Sequence, residues 1–255
     1  MSGSGASNGG SDGRARGTFH PGSRGIVRLA WARRLGLPDL SFSDDGARLL
    51  GCRDASGELT ALELFGQLAL CGPTELVEAA ASVPDDELLA GGPLLRIAGS
   101  GAHGLTAGVL GFADDLPVVQ PDGEPEVSRG NPEAVELETR CPPDDVSSAG
   151  IERREHRFTL MLPDGPAACA AYTVHEGLIA DVGVLVAPAL RRRGLGTFIA
   201  RLAAHEALAE GYLVQLEAQT QNVGALKVAD ALGVVPAGRI ASVHLRPSGT
   251  PGSTR

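Results

Sequence analysis

Residues 178–238, LIADVGVLVAPALRRRGLGTFIARLAAHEALAEGYLVQLEAQTQNVGALKVADALGVVPAG, decide the fold. Their apolar pattern predicts a strand, a loop of arginines and glycines, a helix, a second strand, a second helix and a third strand. Asn222 is a suitable N-cap for the second helix, and Gly233 a suitable stop. The first helix has one apolar face, formed by Leu195, Phe198, Ile199, Leu202 and Leu208. We therefore predict an α/β fold in which helices pack on a sheet.

The loop at residues 191–196, RRRGLG, lies between the end of a predicted strand and the start of a predicted helix. A helix N-terminus offers unpaired backbone N–H groups and a partial positive charge, and glycine lets a bound phosphate approach the chain. The arginines add charged donors. The loop therefore favours a phosphate site, although an ordinary glycine turn with a solvated basic patch also fits the same residues.

Two families of phosphate-binding loop are excluded by the residues present. A Walker A loop requires a lysine before Ser or Thr, and none stands here. A dinucleotide fingerprint requires a third glycine at the position that Ile199 occupies. The pattern that remains is R-x-x-G-x-G.

Four short motifs, in order along the chain, extend this pattern. They are Val186-Ala187-Pro188, the loop at 191–196, Asn222 with Ala225, and Gly233-Val234. Over residues 120–246 the sequence thereby resembles the GNAT acetyltransferase superfamily. The resemblance implies a mixed, mainly antiparallel sheet flanked by helices.

The resemblance also implies acetyl-CoA as co-substrate, and no metal. The backbone of residues 184–186 would pair with the pantetheine arm, and the N–H groups of residues 192–197 would hold the pyrophosphate. Asn222 would reach the arm, or serve as a plain helix cap. The implied cofactor-binding residues are Val184, Leu185, Val186, Arg191, Arg192, Arg193, Gly194, Leu195, Gly196, Thr197 and Asn222.

One position departs from the family pattern. Many members have a tyrosine seven residues after the motif asparagine, as general acid toward the departing thiolate, and Ala229 stands there in this chain. A general acid is worth about 10² to 10⁴ in rate. A thiol with a pKa near ~8.5 still leaves tolerably as thiolate. We expect a slower reaction, with water or Tyr212 as substitute donor.

The amine acceptor requires a base, because an ammonium with a pKa of ~10.4 is almost entirely protonated at neutral pH. Glu217, in LEAQTQN, resembles a run in which some relatives place a catalytic glutamate, and Asp181 is the second candidate. Either carboxylate could instead be a surface or ion-paired group. The histidines are weaker candidates: we expect His156 at the surface and His175 solvated at a hairpin turn, and His205 to face out from the long helix or cap its polar side.

Composition sets the broad class. The chain has 255 residues, 43% of them hydrophobic, enough for a sizeable core, and its apolar runs are too short to span a bilayer. A net charge of −9 argues against nucleic acid as a partner. No zinc or disulfide pattern involves Cys52, Cys71, Cys141 or Cys169, so we expect buried thiols. We predict a cytoplasmic protein that binds neither metal nor membrane.

The chain divides into four predicted segments. Residues 1–23 and 247–255 are Gly/Ser-rich without apolar periodicity, which is typical of disordered tails. A stretch rich in proline, glycine and acid separates an N-terminal module of unknown role, residues 24–116, from the acetyltransferase domain, residues 117–246.

The N-terminal module is predicted to be an additional α/β unit. Its pattern indicates a helix at 26–35, strands at 48–53 and 60–65, helices from Pro73 and at DDELLA, and strands at 94–97 and 105–112.

The domain that follows has two further local signals. Asn131 is a suitable helix cap, and residues 158–186 predict an antiparallel meander.

Charge is distributed unevenly in the second half. Residues 121–190 carry 13 acidic residues and 5 arginines, whereas residues 191–246 carry 7 basic and 4 acidic residues. In the resembling fold the first stretch lines the acceptor side and the second holds the anionic cofactor. The distribution therefore favours a cationic amine acceptor.

Together these features predict an N-acyltransferase that moves acetyl from acetyl-CoA to an amine of a small molecule or protein by direct attack. Cys169 has no base beside it in sequence, which disfavours a covalent enzyme intermediate. Two alternatives stay open. The chain could be an acyl-CoA-binding regulatory or sensor module with little activity, or residues 24–116 could be a recognition module that the other half serves. The acceptor and the oligomeric state, a homodimer included, are left open.

Overall fold

The computed structural model describes residues 19–44, 46–117 and 125–246. The predicted tail at 247–255 and most of the predicted tail at 1–23 lie outside the described residues. Within the three described ranges, no helix is long and apolar enough to cross a membrane.

The described chain alternates helices with strands. Their order and bounds are α1 Pro21–Leu35, β1 Leu49–Cys52, β2 Glu58–Leu64, β3 Gln67–Gly72, α2 Thr74–Ala80, α3 Asp85–Leu89, α4 Gly92–Ala98, β4 Ala102–Ala113, β5 Val127–Ser128, α5 Asn131–Thr139, α6 Pro143–Ala149, β6 His156–Leu162, β7 Gly165–His175, β8 Ile179–Val186, α7 Leu195–Ala209, β9 Leu213–Gln219, α8 Val223–Leu232 and β10 Val235–Leu245. Short 3₁₀ turns lie at Gly99–Gly101, Ile151–Arg153 and Pro188–Leu190.

The strands of the described residues form one sheet, in the order β1-β3-β2-β10-β4-β9-β8-β7-β6-β5. The pairs β1 with β3 and β8 with β9 are parallel, and the other neighbours are antiparallel. The predicted mixed, mainly antiparallel sheet flanked by helices is therefore confirmed.

Helices cover both faces of the sheet. Side chains alternate along each strand, so consecutive residues of β9 point to opposite faces. Val214 packs with Ile199 of α7 on one face, whereas Leu213 packs with Trp31 of α1 on the other. We call these the α7 face and the α1 face. Helix α5 packs on the α1 face through Leu137.

Strand β4 is long and lies far in sequence from its neighbours. It pairs with β9 through Gly108–Ala113 and with β10 along nearly its whole length. It therefore joins strands of residues 24–116 to strands of residues 117–246 in one sheet. The predicted division of the chain near residue 117 stays a prediction.

The structure differs from the predicted elements at four places. Residues 94–97, predicted as a strand, lie in helix α4, which starts after Gly91 with Pro93 in its first turn. Strand β3 was not predicted. Helix α1 begins at Pro21, inside the predicted tail. Asn131 is the first helical residue and Gly130 the cap.

The cysteines do not share one environment. Cys71 and Cys169 are buried, as expected, because they lie on strands covered by helices. Cys141 is only half-buried, and Cys52 is exposed at the end of the edge strand β1. The expectation of four buried thiols is therefore wrong for these two.

Candidate active site

A cleft opens in the middle of the sheet where β8 and β9 separate. The two parallel strands pair over three residues each, Ile179–Asp181 with Leu213–Gln215. Beyond that point β8 continues to Val186 alongside β7, and β9 continues to Gln219 alongside β4. The cleft therefore widens toward the carboxyl ends of both strands, where helices α7 and α8 follow.

The backbone of β8 presents alternate residues to this cleft. The Leu213 N–H donates to the Leu178 carbonyl at 3.0 Å, and Ala187 N–H donates to Ala167 of β7 at 2.9 Å. By strand alternation, Val184 and Val186 turn their polar backbone groups toward the cleft. Leu185 turns its own toward β7, where it is opposite Cys169.

Helix α7 begins at the mouth of the cleft. Its N-cap is Gly194, with φ of +80°, and the first bond of the helix runs from the Phe198 N–H to the Gly194 carbonyl at 3.0 Å. The amides of residues 195–197 have no acceptor within the helix. Arg192 also has positive φ, +64°. The turn therefore carries unpaired donors at the positive end of a helix.

Gly196 is buried between α7 and β8. A Cβ on this glycine would lie 3.1 Å from Val186 Cγ2 and 3.7 Å from side-chain atoms of Val184 and Val228. The absence of a side chain thus lets the helix pack closely on the strand. By contrast, a Cβ on Gly194 would meet nothing within 4 Å, so that residue serves the left-handed turn.

The three arginines of the loop differ. Arg191 donates from Nε to the Val186 carbonyl at 3.2 Å and from Nη2 to Asp145 at 2.6 Å, so it ties the loop to β8 and α6. Arg192 and Arg193 are exposed, and within the described parts of the chain neither has a carboxylate partner. Two charged side chains are therefore available near the α7 N-terminus.

Helix α8 also starts at the carboxyl end of the cleft. The Asn222 side chain accepts from the Ala225 N–H at 3.0 Å and so caps the helix, one of the two interpretations left open by its sequence. Its side-chain NH₂ group is not used in that bond. Asn222 is exposed and follows β9 directly.

Asp181 is a largely buried carboxylate on the α1 face, and both of its oxygens accept hydrogen bonds. One oxygen accepts from Arg154 at 2.7 Å and the other from the Gln215 amide at 2.9 Å. Burial by itself raises the pKa of Asp181, but Arg154 and Gln215 together outweigh it and hold the pKa below its ordinary value. Gln215 is itself oriented by Trp31, whose indole N–H donates to it at 3.0 Å.

Glu217 lies two residues beyond Gln215 on the same face of β9. It is half-buried and accepts no hydrogen bond from any side chain or loop amide in the described ranges. Burial raises its pKa to about 6, and the nearby Asp181 charge adds to the effect. Glu217 is therefore mostly ionised at neutral pH yet able to take a proton.

The histidines have other surroundings than expected. His175, predicted to be solvated, is half-buried, and burial lowers its pKa, helped by the charge of Arg34. His156 stacks on Tyr172 with ring centroids 4.4 Å apart. His205 lies 3.3 Å from the Pro117 carbonyl.

No tyrosine of the described chain replaces the missing general acid at Ala229. Ala229 packs against the core under α7. Tyr212 precedes the first β8–β9 pair, at the closed end of the cleft, about 16 Å along the strand from Glu217. Tyr172 is buried and donates to Glu210 at 3.1 Å.

Sequence reasoning missed several residues that surround the carboxylates. Trp31 and Arg34 lie in α1, in a segment without a recognised motif, and Arg154 lies in ERREHR, which reads as a surface run. Among these residues only Gln215 could have been found from the sequence, because its spacing of two residues from Glu217 places both on the same face of a strand. In the same described ranges, no cluster of three metal-ligating side chains is found.

Comparison with known proteins identifies one family that resembles the C-terminal part of the chain. Residues 128–234, from β5 to just beyond α8, match the model of the Acetyltransferase (GNAT) family. No curated protein matches the sequence.

Several solved structures are similar at low identity. A GNAT-family putative acetyltransferase from Novosphingobium aromaticivorans is 18% identical over 58% of this chain and 69% of its own, with a TM-score of 0.47. A GNAT-family acetyltransferase from Colwellia psychrerythraea is 14% identical over 71% and 77%, with a TM-score of 0.45. A GCN5-related N-acetyltransferase-like protein from Streptococcus suis is 14% identical over 75% and 85%, also with a TM-score of 0.45.

Proposed function

Because residues 128–234 match the model of the GNAT acetyltransferase family, we propose that the protein transfers an acetyl group from acetyl-CoA directly to an amine. The observation that carries the proposal is the cleft between β8 and β9. It combines unpaired amides at its mouth with one unbonded carboxylate, Glu217, on its floor. The match to the family model supports acyl transfer in general, and the donor and the acceptor are part of the proposal.

The residues at the cleft fit acetyl-CoA. The backbone groups of Val184 and the N–H of Val186 suit the amides of a pantetheine arm, whereas the Val186 carbonyl is used by Arg191. The amides of residues 195–197 suit a pyrophosphate. Arg192 and Arg193 supply positive charge, while Arg191 holds the loop in place through Val186 and Asp145. When bound, acetyl-CoA supplies a thioester carbon open to attack and a thiol that can leave.

Glu217 serves as the base in this proposal. An ammonium is neutral only to about one part in two to three thousand at pH 7, so a group must remove its proton. The carboxylate of Glu217 accepts that proton first, which frees the nitrogen lone pair to form a bond to the acetyl carbon, and the carbon–sulfur bond then breaks to release the thiolate. Asp181 is unsuited to the role, because both of its oxygens are bonded and its pKa is lowered. It positions Gln215 and neutralises Arg154.

The departing sulfur receives no help from a tyrosine. Ala229 offers no proton, and Tyr212 lies at the closed end of the cleft. Since a thiol has a pKa of only ~8.5, the thiolate can leave without a general acid, at a cost in rate.

The missing acid also favours a second candidate function. A domain that binds acetyl-CoA without turning it over would serve as a sensor, and Ala229 is the observation on its side. The two candidates predict the same cofactor binding and differ in catalysis.

Release of free thiol from acetyl-CoA, followed with a panel of amines, tests the proposal. We expect amine-dependent release that is lost in Glu217→Gln while coenzyme A still raises the melting temperature. If coenzyme A binds but no amine causes the release of free thiol, the sensor function is favoured. A folded protein whose melting temperature saturating coenzyme A leaves unchanged would overturn both.

A further inference from the structure

The cleft between β8 and β9 also opens to the α1 face of the sheet, and we call this part of the cleft, beside Glu217, the groove. Its floor is formed by β8 and β9, where Asp181, Gln215 and Glu217 lie side by side. Trp31 is 2% exposed and Gln215 1%, and the hydrogen bonds from Trp31 to Gln215, and from Gln215 and Arg154 to Asp181, lock this floor. Helix α1, outside the residues that match the family, therefore builds one wall of the groove.

Arg34 lies at the rim of that wall. Its guanidinium carbon is 4.6 Å from the centroid of the Trp31 ring, and the side chain is exposed. The next arginine in the helix, Arg33, is paired with Asp39 at 2.8 Å, whereas no carboxylate of the described chain pairs with Arg34. Its charge reaches into the groove, since it lowers the pKa of both His175 and Glu217.

Among the charged groups that act on Glu217, Asp181 is paired with Arg154 and Glu58 lies 2.9 Å from His244 Nδ1, which leaves Arg34. The lowered pKa of His175 favours its neutral form, and Glu176 is the next residue at the hairpin turn. Glu217 attracts an ammonium, but Arg34 repels it. An acceptor with an amine and a carboxylate satisfies both residues, which an amine alone does not.

We propose that this groove takes an acceptor that carries a carboxylate as well as the amine, and that Arg34 binds the carboxylate. The inference rests on the proposed function, whose acceptor class it narrows. A guanidinium that packs over an indole ring loses less conformational entropy when its donors bind a ligand, and the planar fork of donors suits a carboxylate. Free amino acids and peptides with a free C-terminus both carry an amine and a carboxylate, and they differ in the distance between these two groups.

The test compares each amino acid with its own amide. We expect kcat/KM for 6-aminohexanoate, or for whichever spacing fits, to exceed that of the matching amide by about tenfold to a hundredfold. A series from glycine through 4-aminobutyrate to glycylglycine, each with its amide, separates amino acids from peptides. In Arg34→Gln the ratio should fall to about one. Arg33→Gln, one position earlier, should keep the wild-type ratio.

Comparing the acid-to-amide ratio between wild type and variant cancels the intrinsic reactivity of each amine. The inference is wrong if wild type and Arg34→Gln have the same acid-to-amide ratio of kcat/KM at every spacing between amine and carboxylate. It is also wrong if Arg33→Gln lowers the ratio as much as Arg34→Gln does, because the ratio would then depend on the net positive charge of helix α1 and not on a contact with Arg34.

Binding gives a second readout that does not require turnover. Trp31 is the single tryptophan of the chain, so its fluorescence reports on the groove. Titration of the coenzyme A complex should give a Kd for the acid about tenfold or more below that for the amide, and the difference should vanish in Arg34→Gln. Equal Kd values in wild type would overturn the inference even if amines are acetylated. If the Kd values of acid and amide differ but no amine is acetylated, the inference about the acceptor is supported and the proposed catalysis at this site is wrong.

Discussion

The two sides of the cleft are built in different ways. The proposed cofactor side, residues 184–197, is one continuous stretch that offers mainly backbone N–H and C=O groups. The proposed acceptor side gathers side chains from distant segments, as in the bond between Trp31 and Gln215, which are 184 residues apart. A backbone site leaves a local pattern of glycines and arginines in the sequence. A side-chain site assembled by the sheet leaves almost none.

Removing residues 1–116 should have the largest effect. The fragment 117–255 lacks β4, which pairs with both β9 and β10, and α1, which covers Leu213 and Ile179. We expect no cooperative thermal unfolding by circular dichroism and no binding of coenzyme A. A fragment that unfolds cooperatively and binds coenzyme A would show that the cofactor side does not depend on the N-terminal strands.

Asp181→Asn should have the second largest effect on stability, because it leaves the largely buried Arg154 side chain without its counter-charge. We expect a loss of about 3 to 5 kcal/mol in the free energy of unfolding at pH 7, measured with urea. As the folded state lowers the pKa of Asp181, its contribution is present above the ordinary carboxyl pKa and fades as the pH falls. A loss under about 1 kcal/mol would mean that the acceptor side is not locked by this pair.

Gly196→Val tests the packing of the cofactor side. A side chain at this position would press on Val186 and Val228, so we expect a loss of about 1 to 3 kcal/mol in unfolding free energy together with weaker coenzyme A binding. Gly194→Ala is the matched control, with strain at positive φ but open space around it. Unchanged stability in Gly196→Val would contradict the observed contact between α7 and β8.

Glu217→Gln should have a small effect of opposite sign to Asp181→Asn. The folded state raises the pKa of Glu217 to about 6, so wild-type stability falls as the pH rises through that value. At pH 7.5 the variant should be more stable than wild type by at most about 2 kcal/mol, and at pH 4 the two should agree. Urea unfolding at both pH values measures this, and a variant less stable at pH 7.5 would contradict the raised pKa.

Much of the C-terminal half could be predicted from its sequence. Apolar periodicity predicts α7 and α8, and Asn222 and Gly233 bound α8. The mixed sheet is implied by the family resemblance that the four motifs carry. Local signals suffice here because helix caps, turns and strand alternation act within a few residues.

Other parts could not be predicted, since their cause is not local. Residues 94–97 are apolar enough for a strand, yet Pro93 and the packing of α4 on the sheet make them helical. Nothing in Asp181 or Glu217 alone distinguishes the paired carboxylate from the free one. Arg154, 27 residues away from Asp181, decides that difference.

The pH dependence of kcat/KM for acetyl transfer, in wild type and Glu217→Gln, tests the central claim most directly. If Glu217 takes the proton from a bound ammonium, the wild-type profile rises up to about pH 6 and is then flat until the amine itself ionises near pH ~10.4. The variant should be about 10² to 10⁴ slower at pH 7 and should rise about tenfold per pH unit throughout, because only the free amine reacts. Equal profiles for the two proteins would contradict the assignment of Glu217 as the base.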